Sequence, residues 1–216
     1  MSEPKNKHKV RKVRRTNWIY ETFSIPDPTT GKMLKCDASI EHDFVLTKLF
    51  DPNVLVIETS PTSYYSEATN RRYTRDIVIL DETMIPLNIE CKSRADSEKP
   101  KNIVKHDLLE NEIKSHGARF EVVTDEDIRK GYTITNLKCF HIYRSMPKPS
   151  KEIIKTIVTT VNNNLRITFG ELRLQMRDIG INVKNIWYCL AHKIILTNLE
   201  KLITNDSILW VKSDEI

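Results

Sequence analysis

Short apolar runs rich in β-branched and aromatic residues occupy the chain between residues 54 and 93. Turn signals divide them, and the runs at 73–80 and 84–93 flank Asp81-Glu82, a pattern that predicts a β-hairpin. A further strand is predicted at 119–124. The runs together favour a mainly antiparallel arrangement in this part of the chain.

On either side of these strands, apolar residues recur with the spacing of an α-helix. One such stretch begins near Asp37 or Ser39, each a candidate cap, and stops at Asp51-Pro52. Another covers 100–116, and Gly117 is placed to end it. Because helices alternate with strands, we expect an α/β domain with a mixed sheet flanked by helices. The segment SIPDPTTGK, which precedes the first of these helices, is predicted to be a loop, since it contains two prolines and a glycine.

The carboxy-terminal third has a different pattern, separated by the linker MPKPS at 146–150. It predicts a winged-helix-like domain over 151–216, made of three helices and a hairpin around Asn205-Asp206. The expected helices are 151–163, 168–178 and 183–197, and the expected strands are 201–204 and 208–212. The third helix carries both cations and large apolar residues, so protein docking and DNA binding both remain open for it.

Charge is unevenly distributed along the 216 residues, whose formal net charge is +5. Residues 5–15 contain seven cations and no acid, which indicates a basic arm over 1–20 that can neutralise phosphates or simply keep the chain in solution. A larger domain then spans 21–145. The arm's candidate DNA contacts are Lys7, Lys9, Arg11, Lys12, Arg14 and Arg15.

Several function classes are disfavoured by composition. The five glycines are too widely spaced for a dinucleotide or P-loop nucleotide site, and neither the zincin nor the serine-hydrolase motif occurs. The four cysteines lie too far apart for zinc spacing and are expected to be reduced, buried thiols. The first residues lack the apolar segment of a secretory signal, and no apolar run is long enough to span a membrane, so we expect a cytoplasmic protein without membrane association.

The hairpin at 73–93 concentrates residues suited to a metal-dependent nuclease. Residues two apart in a strand face the same side, so Glu90 and Lys92 should project together, and Asp76 starts the partner strand. Neighbouring carboxylates resist joint ionisation unless a cation lies between them, and oxygen ligands favour Mg²⁺, with Mn²⁺ as an alternative. Glu41 and the backbone carbonyl of Cys91 are further possible ligands. The same spacing also arises by chance in half-exposed sheets.

Longer stretches of the sequence resemble a known family. In order, they are SIEHDFVLTKLFDPNVLVIETSP, RRYTRDIVIL, IECK and HGARFEVVTDEDIR followed by TNLK. Between about residues 36 and 144 they are similar to the TnsA endonuclease subunit of heteromeric cut-and-paste transposases. The resemblance implies a restriction-endonuclease-like fold for 21–145, and the family's second domain agrees more loosely with the carboxy-terminal prediction.

The resemblance also assigns roles. Glu41 matches the family's first catalytic acid, Asp76 its central metal ligand, and Glu90 and Lys92 its second ligand position and catalytic lysine. Arg75 stands where the family usually has proline and adds a cation that can touch phosphate. Arg71, Arg72 and Arg75 are thus further candidate contacts to the DNA backbone.

The implied activity is metal-dependent nicking of double-stranded DNA at the 5′, non-transferred strands of transposon ends. Its implied partners are a DDE-type transposase subunit, which processes the 3′ ends, and an AAA+ ATPase regulator. Two other functions stay open. One is a stand-alone restriction-type or junction-resolving nuclease, and the other is a non-enzymatic winged-helix DNA-binding regulator.

Overall fold

The computed structural model describes residues 23–59, 61–164 and 166–211. The basic arm, with Lys7, Lys9, Arg11, Lys12, Arg14 and Arg15, lies outside these residues. The chain divides into two compact units, with the boundary between Arg129 and Lys130. Residues 133–144, which the sequence pattern groups with the larger domain, therefore belong to the second unit.

The first unit is built on a four-stranded mixed sheet. Its strand order is β3-β6-β7-β8, in which β3, β6 and β7 pair antiparallel and β8 is parallel to β7. The expected α/β architecture with a mixed sheet is confirmed at this level. The strands of the sheet are β3 (Val54–Thr59), β6 (Ile77–Asp81), β7 (Leu87–Lys92) and β8 (Arg119–Thr124).

Two small hairpins accompany this sheet. The first pairs β1 (Phe23–Pro26) with β2 (Met33–Cys36), and the second pairs β4 (Tyr64–Ser66) with β5 (Arg71–Tyr73). The interpretation of SIPDPTTGK as wholly loop is wrong, because its first three residues are in β1. The rest of the segment forms the turn, where the Asp27 carboxylate accepts hydrogen bonds from two threonines.

Helices flank the sheet. They are α1 (Ser39–Leu49), α2 (Arg94–Ser97), α3 (Pro100–Ser115) and α4 (Asp125–Ile128). Gly117 follows α3 in the left-handed region, with a φ of 75°, which confirms its role in ending the helix. Ala38 occupies the N-cap position of α1, so neither of the two predicted caps, Asp37 and Ser39, does.

The second unit is helical. Its helices are α5 (Thr133–Arg144), α6 (Lys151–Asn163), α7 (Phe169–Asp178) and α8 (Val183–Ala191). The first of these covers the apolar segment 136–144, whose pattern does not distinguish a helix from a strand. Trp187 packs its ring against Phe140, Tyr143 and Phe169, and so joins α5, α7 and α8 into one core.

Two expectations for this unit need correction. The third predicted helix ends at Ala191 and does not reach 197, since Lys193 has the left-handed φ of 56°. The described residues 201–204 form no strand. Isolated antiparallel bridges instead pair Thr168 with Ile208 and Leu196 with Trp210. The segment that ends at Trp210 therefore pairs with Leu196 and not with 201–204.

No helix within the described ranges is both long and apolar enough to cross a bilayer.

Candidate functional site

The antiparallel register of β6 and β7 brings Asp76 beside the end of β7. Ile77 lies opposite Ile89, so the residue before β6 falls beside the residues that follow Ile89. The backbone N–H of Cys91 donates to Asp76 Oδ2 at 2.9 Å. The Asp76 carboxylate is thereby fixed at the start of β6, beside the end of β7, as the sequence pattern predicts.

Lys92 joins the two acids of the hairpin. Its Nζ lies 3.1 Å from Glu90 Oε1 and 3.5 Å from Asp76 Oδ2, and it also donates to the carbonyl oxygen of Cys91 at 3.1 Å. The expected projection of Glu90 and Lys92 to one side of β7 is confirmed. Burial opposes the positive charge, but Asp76 and Glu90 outweigh it and raise the pKa of Lys92.

Glu90 is buried and held from three directions. The Tyr73 hydroxyl donates to Glu90 Oε2 at 2.8 Å, and Lys105 Nζ lies 2.9 Å from Oε1. Burial alone would raise the pKa of this carboxyl, but the charges of Lys92 and Lys105 and the hydrogen bonds lower it. Glu90 therefore stays ionised, with its oxygen atoms engaged by protein donors.

Glu41 comes to the same region from the first turn of α1. Its Oε2 accepts a hydrogen bond from the backbone N–H of Asp37 at 2.8 Å. Burial, and then repulsion from Asp76, raise the pKa of Glu41 to about 7. Burial and the charge of Glu90 likewise raise the pKa of Asp76. The charge of Asp76 thus disfavours ionisation of Glu41.

The residues that the structure describes contain no group of three or more His, Cys, Asp or Glu arranged to hold a metal ion. Mg²⁺, however, commonly takes one or two carboxylates and completes its shell with water. In the described part of the chain, protein donors engage both oxygen atoms of Glu90 but one oxygen atom each of Glu41 and Asp76. Glu41, Asp76 and the Cys91 carbonyl, to which Lys92 also donates, are therefore the better-placed oxygen donors for an ion. Two carboxylates, one of which disfavours ionisation of the other, make a chemically suitable set for a hard divalent cation.

The candidate DNA-contacting arginines differ in their engagement. Arg71 and Arg72 lie exposed on β5, and Arg72 Nε donates to the Ser63 hydroxyl at 2.8 Å. Arg75 donates to Asn88 Oδ1 at 3.0 Å and packs over the Tyr64 ring. The guanidinium of Arg75 is therefore held within its own unit and is less accessible to a phosphate than the other two.

Sequence reasoning missed Tyr73 and Lys105 as members of this cluster. Tyr73 lies within the RYT stretch before Asp76, so its position was a usable signal. Lys105 is one of several cations along α3, and nothing in the sequence shows which of them points toward β7.

No protein-family model matches the chain, and no curated protein matches it. A function is therefore inferred from the motifs and from the geometry of the cluster formed by Glu41, Asp76, Glu90, Lys92 and Lys105.

Proposed function

We propose that the chain is a magnesium-dependent DNA endonuclease that acts as a TnsA-type subunit of a transposase. It would nick the 5′, non-transferred strands at transposon ends by phosphodiester hydrolysis. The observation that carries the proposal is the contact of Lys92 with both Asp76 and Glu90 where β6 begins and β7 ends, with Glu41 of α1 near enough for the charge of Asp76 to raise its pKa. Mn²⁺ is the alternative ion.

The side chains divide into two groups in this proposal. Glu41, Asp76 and the carbonyl oxygen of Cys91 would hold the ion. When bound, it would stabilise negative charge on the phosphate and lower the pKa of a bound water. Lys92, fixed by Glu90, holds a positive charge beside Asp76 that can neutralise charge developing on phosphate oxygens.

The fold is compatible with the same proposal. A hairpin that carries acids beside a parallel strand, flanked by helices, suits a restriction-endonuclease-like domain. In the second unit, α6, α7 and α8 with the bridges at Thr168 and Leu196 suit a winged-helix-like module. We assign to that unit the docking of a DDE-type transposase or an AAA+ regulator, because much of α8 is buried as core.

One observation favours a second function, DNA binding without cleavage. The ammonium of Lys92 already donates to Asp76 and to the Cys91 carbonyl, and so it neutralises part of the site without any metal. A divalent ion would have to share those oxygen atoms with Lys92. Metal binding is therefore the property that separates the two functions.

The test combines metal binding with cleavage. Calorimetry would measure Mn²⁺ binding, and nicking of supercoiled plasmid carrying transposon ends would be followed in MgCl₂ or MnCl₂ and in EDTA. We expect Asp76→Asn to lose both, and Lys92→Met to lose nicking by more than about 100-fold. The control is Glu98→Gln, which removes an exposed acid of the same unit.

Thermal unfolding of each variant would separate loss of chemistry from loss of fold. Undiminished nicking by either site variant would overturn the proposed roles. A wild-type protein that binds DNA but neither binds Mn²⁺ nor nicks would favour the non-enzymatic function.

A further inference from the structure

A cavity of about 690 Å³ lies in the first unit, between the β4–β5 hairpin and α3. Its size is within the range of ligand-binding clefts. Among the described residues, four cations line it and no acidic side chain does. The residues that matter for its chemistry are Arg71, Arg72, Tyr73, Lys101, Val104 and Lys105.

The cavity adjoins the acidic cluster, because two side chains belong to both. Lys105 and Tyr73 line the cavity, and both also bind the Glu90 carboxylate. The Lys105 ammonium lies 5.3 Å from the centre of the Tyr73 ring, a cation–π contact that fixes both groups. A nucleic-acid strand that lies in the cavity would therefore contact the wall formed by Tyr73 and Lys105, which hold the buried Glu90 carboxylate.

The cations at the cavity mouth are accessible to a ligand. Arg71 and Lys101 are exposed, and neither makes an ion pair among the described residues. Arg72 uses its Nε on Ser63, which leaves its terminal N–H groups for another acceptor. Val104, which is 59% exposed, adds an apolar contact between these charges.

We propose that this cavity binds the phosphodiester backbone of DNA and directs one strand toward Asp76 and Lys92. The inference rests on the proposed function and extends it, because it identifies Lys101 and Lys105 of α3 as a second wall facing the β5 arginines. Lys105 is a positioning residue in this arrangement, since it ties the phosphate-binding wall to Glu90. Backbone contacts of this kind fix position without reading base sequence.

The test measures DNA binding without any divalent ion. Fluorescence anisotropy of a labelled short duplex would be followed in EDTA between about 50 and 200 mM KCl, where the logarithm of affinity falls linearly with that of salt. We expect the double variant Arg71→Ala/Lys101→Ala to reduce the magnitude of that slope by about two, because each cation neutralises one phosphate. Sequence changes in the duplex should leave this reduction unaltered.

The matched control is Lys48→Ala/Lys114→Ala, which removes two cations of the same unit that pair with Asp51 and Glu110 outside the cavity. An unchanged slope in the cavity variant, or an equal reduction in the control, would overturn the inference. Competition by ATP as strong as by duplex DNA would also overturn it, because the ligand would then be a nucleotide. Absence of nicking by a wild-type protein whose DNA binding follows the expected pattern would instead contradict the proposed chemistry alone.

Discussion

The two units differ in the kind of polar side chain that they bury. Among the described residues, the buried acids Asp27, Asp43 and Glu90 all lie in the first unit. The buried polar side chains of the second unit are the amides of Asn136 and Asn185. Buried charge is costly unless it is paired, so the unit that keeps buried Glu90 beside Lys92 and Lys105 is the stronger candidate for chemistry. The second unit has the composition of a packed helical scaffold.

The largest expected effect tests the apolar core of the second unit. Leu172 is fully buried on α7, and Leu172→Ala would remove its packing and leave a cavity. We expect a loss of about 2–5 kcal/mol in the free energy of unfolding, measured by urea denaturation. A loss below about 1 kcal/mol would mean that this core is loosely packed, and the contrast between the units would fail.

A smaller effect, of opposite sign, is expected at Glu41 in the first unit. Because the pKa of Glu41 is raised to about 7, the folded state keeps its proton after the unfolded chain has released it. Stability contributed by the protonated form is therefore present below the ordinary pKa of Glu and is lost as pH rises through about 7.

Glu41→Gln keeps an oxygen acceptor for the Asp37 N–H but cannot ionise. We expect it to be more stable than the wild type at pH 8 by no more than about 3 kcal/mol, and to show no such gain at about pH 4. Urea denaturation at the two pH values, without metal, measures this. Equal differences at both pH values would show that Glu41 carries no electrostatic cost.

The ion pair between Asp43 and Arg129 tests how the first unit tolerates a buried acid away from the site. Arg129 Nε lies 2.8 Å from Asp43 Oδ2, and its NH2 group donates to the Ser39 hydroxyl. We expect Arg129→Met to lower the free energy of unfolding by about 1–3 kcal/mol, because the carboxylate stays buried. Reversal of the loss by Asp43→Asn in the same chain would confirm the charge as its cause, and additive losses would contradict it.

The smallest expected effect concerns the start of α7. Thr168 and Glu171 form a capping box, in which each side chain accepts a hydrogen bond from the other's backbone N–H. Thr168→Ala should cost about 1 kcal/mol in urea denaturation. The comparison variant Thr160→Ala changes a threonine inside α6, away from any cap, and an equal cost there would argue against capping as the cause.

Parts of the fold could be predicted because short-range signals determine them. The strand at 119–124 and the end of α3 at Gly117 follow from period and turn chemistry. The turn residues of SIPDPTTGK hid β1, because prolines within a run lower the expectation of a strand. In the second unit, Trp210 pairs with Leu196, a long-range choice of partner that local pattern does not encode.

The candidate site also has one part that the sequence predicts and one part that depends on tertiary packing. The approach of Asp76, Glu90 and Lys92 was predictable because residues two apart in a hairpin share a side. The engagement of Glu90 by Lys105 depends on how α3 rotates against β8, which tertiary packing sets. That Glu90 is a metal ligand stays a prediction, and in the structure its carboxylate holds the ammonium groups of Lys92 and Lys105.

The buried thiols also offer a chemical handle on the site. Burial, followed by the negative charges of nearby acids, raises the pKa of Cys36 to about 12 and that of Cys91 above its ordinary value. Both sulfurs should therefore resist alkylation by iodoacetamide while the first unit is folded. Cys139 in the second unit is only partly buried and should be labelled first. The delayed modification of Cys36 and Cys91 would then report each opening of the acidic cluster to solvent, without a substrate or a metal.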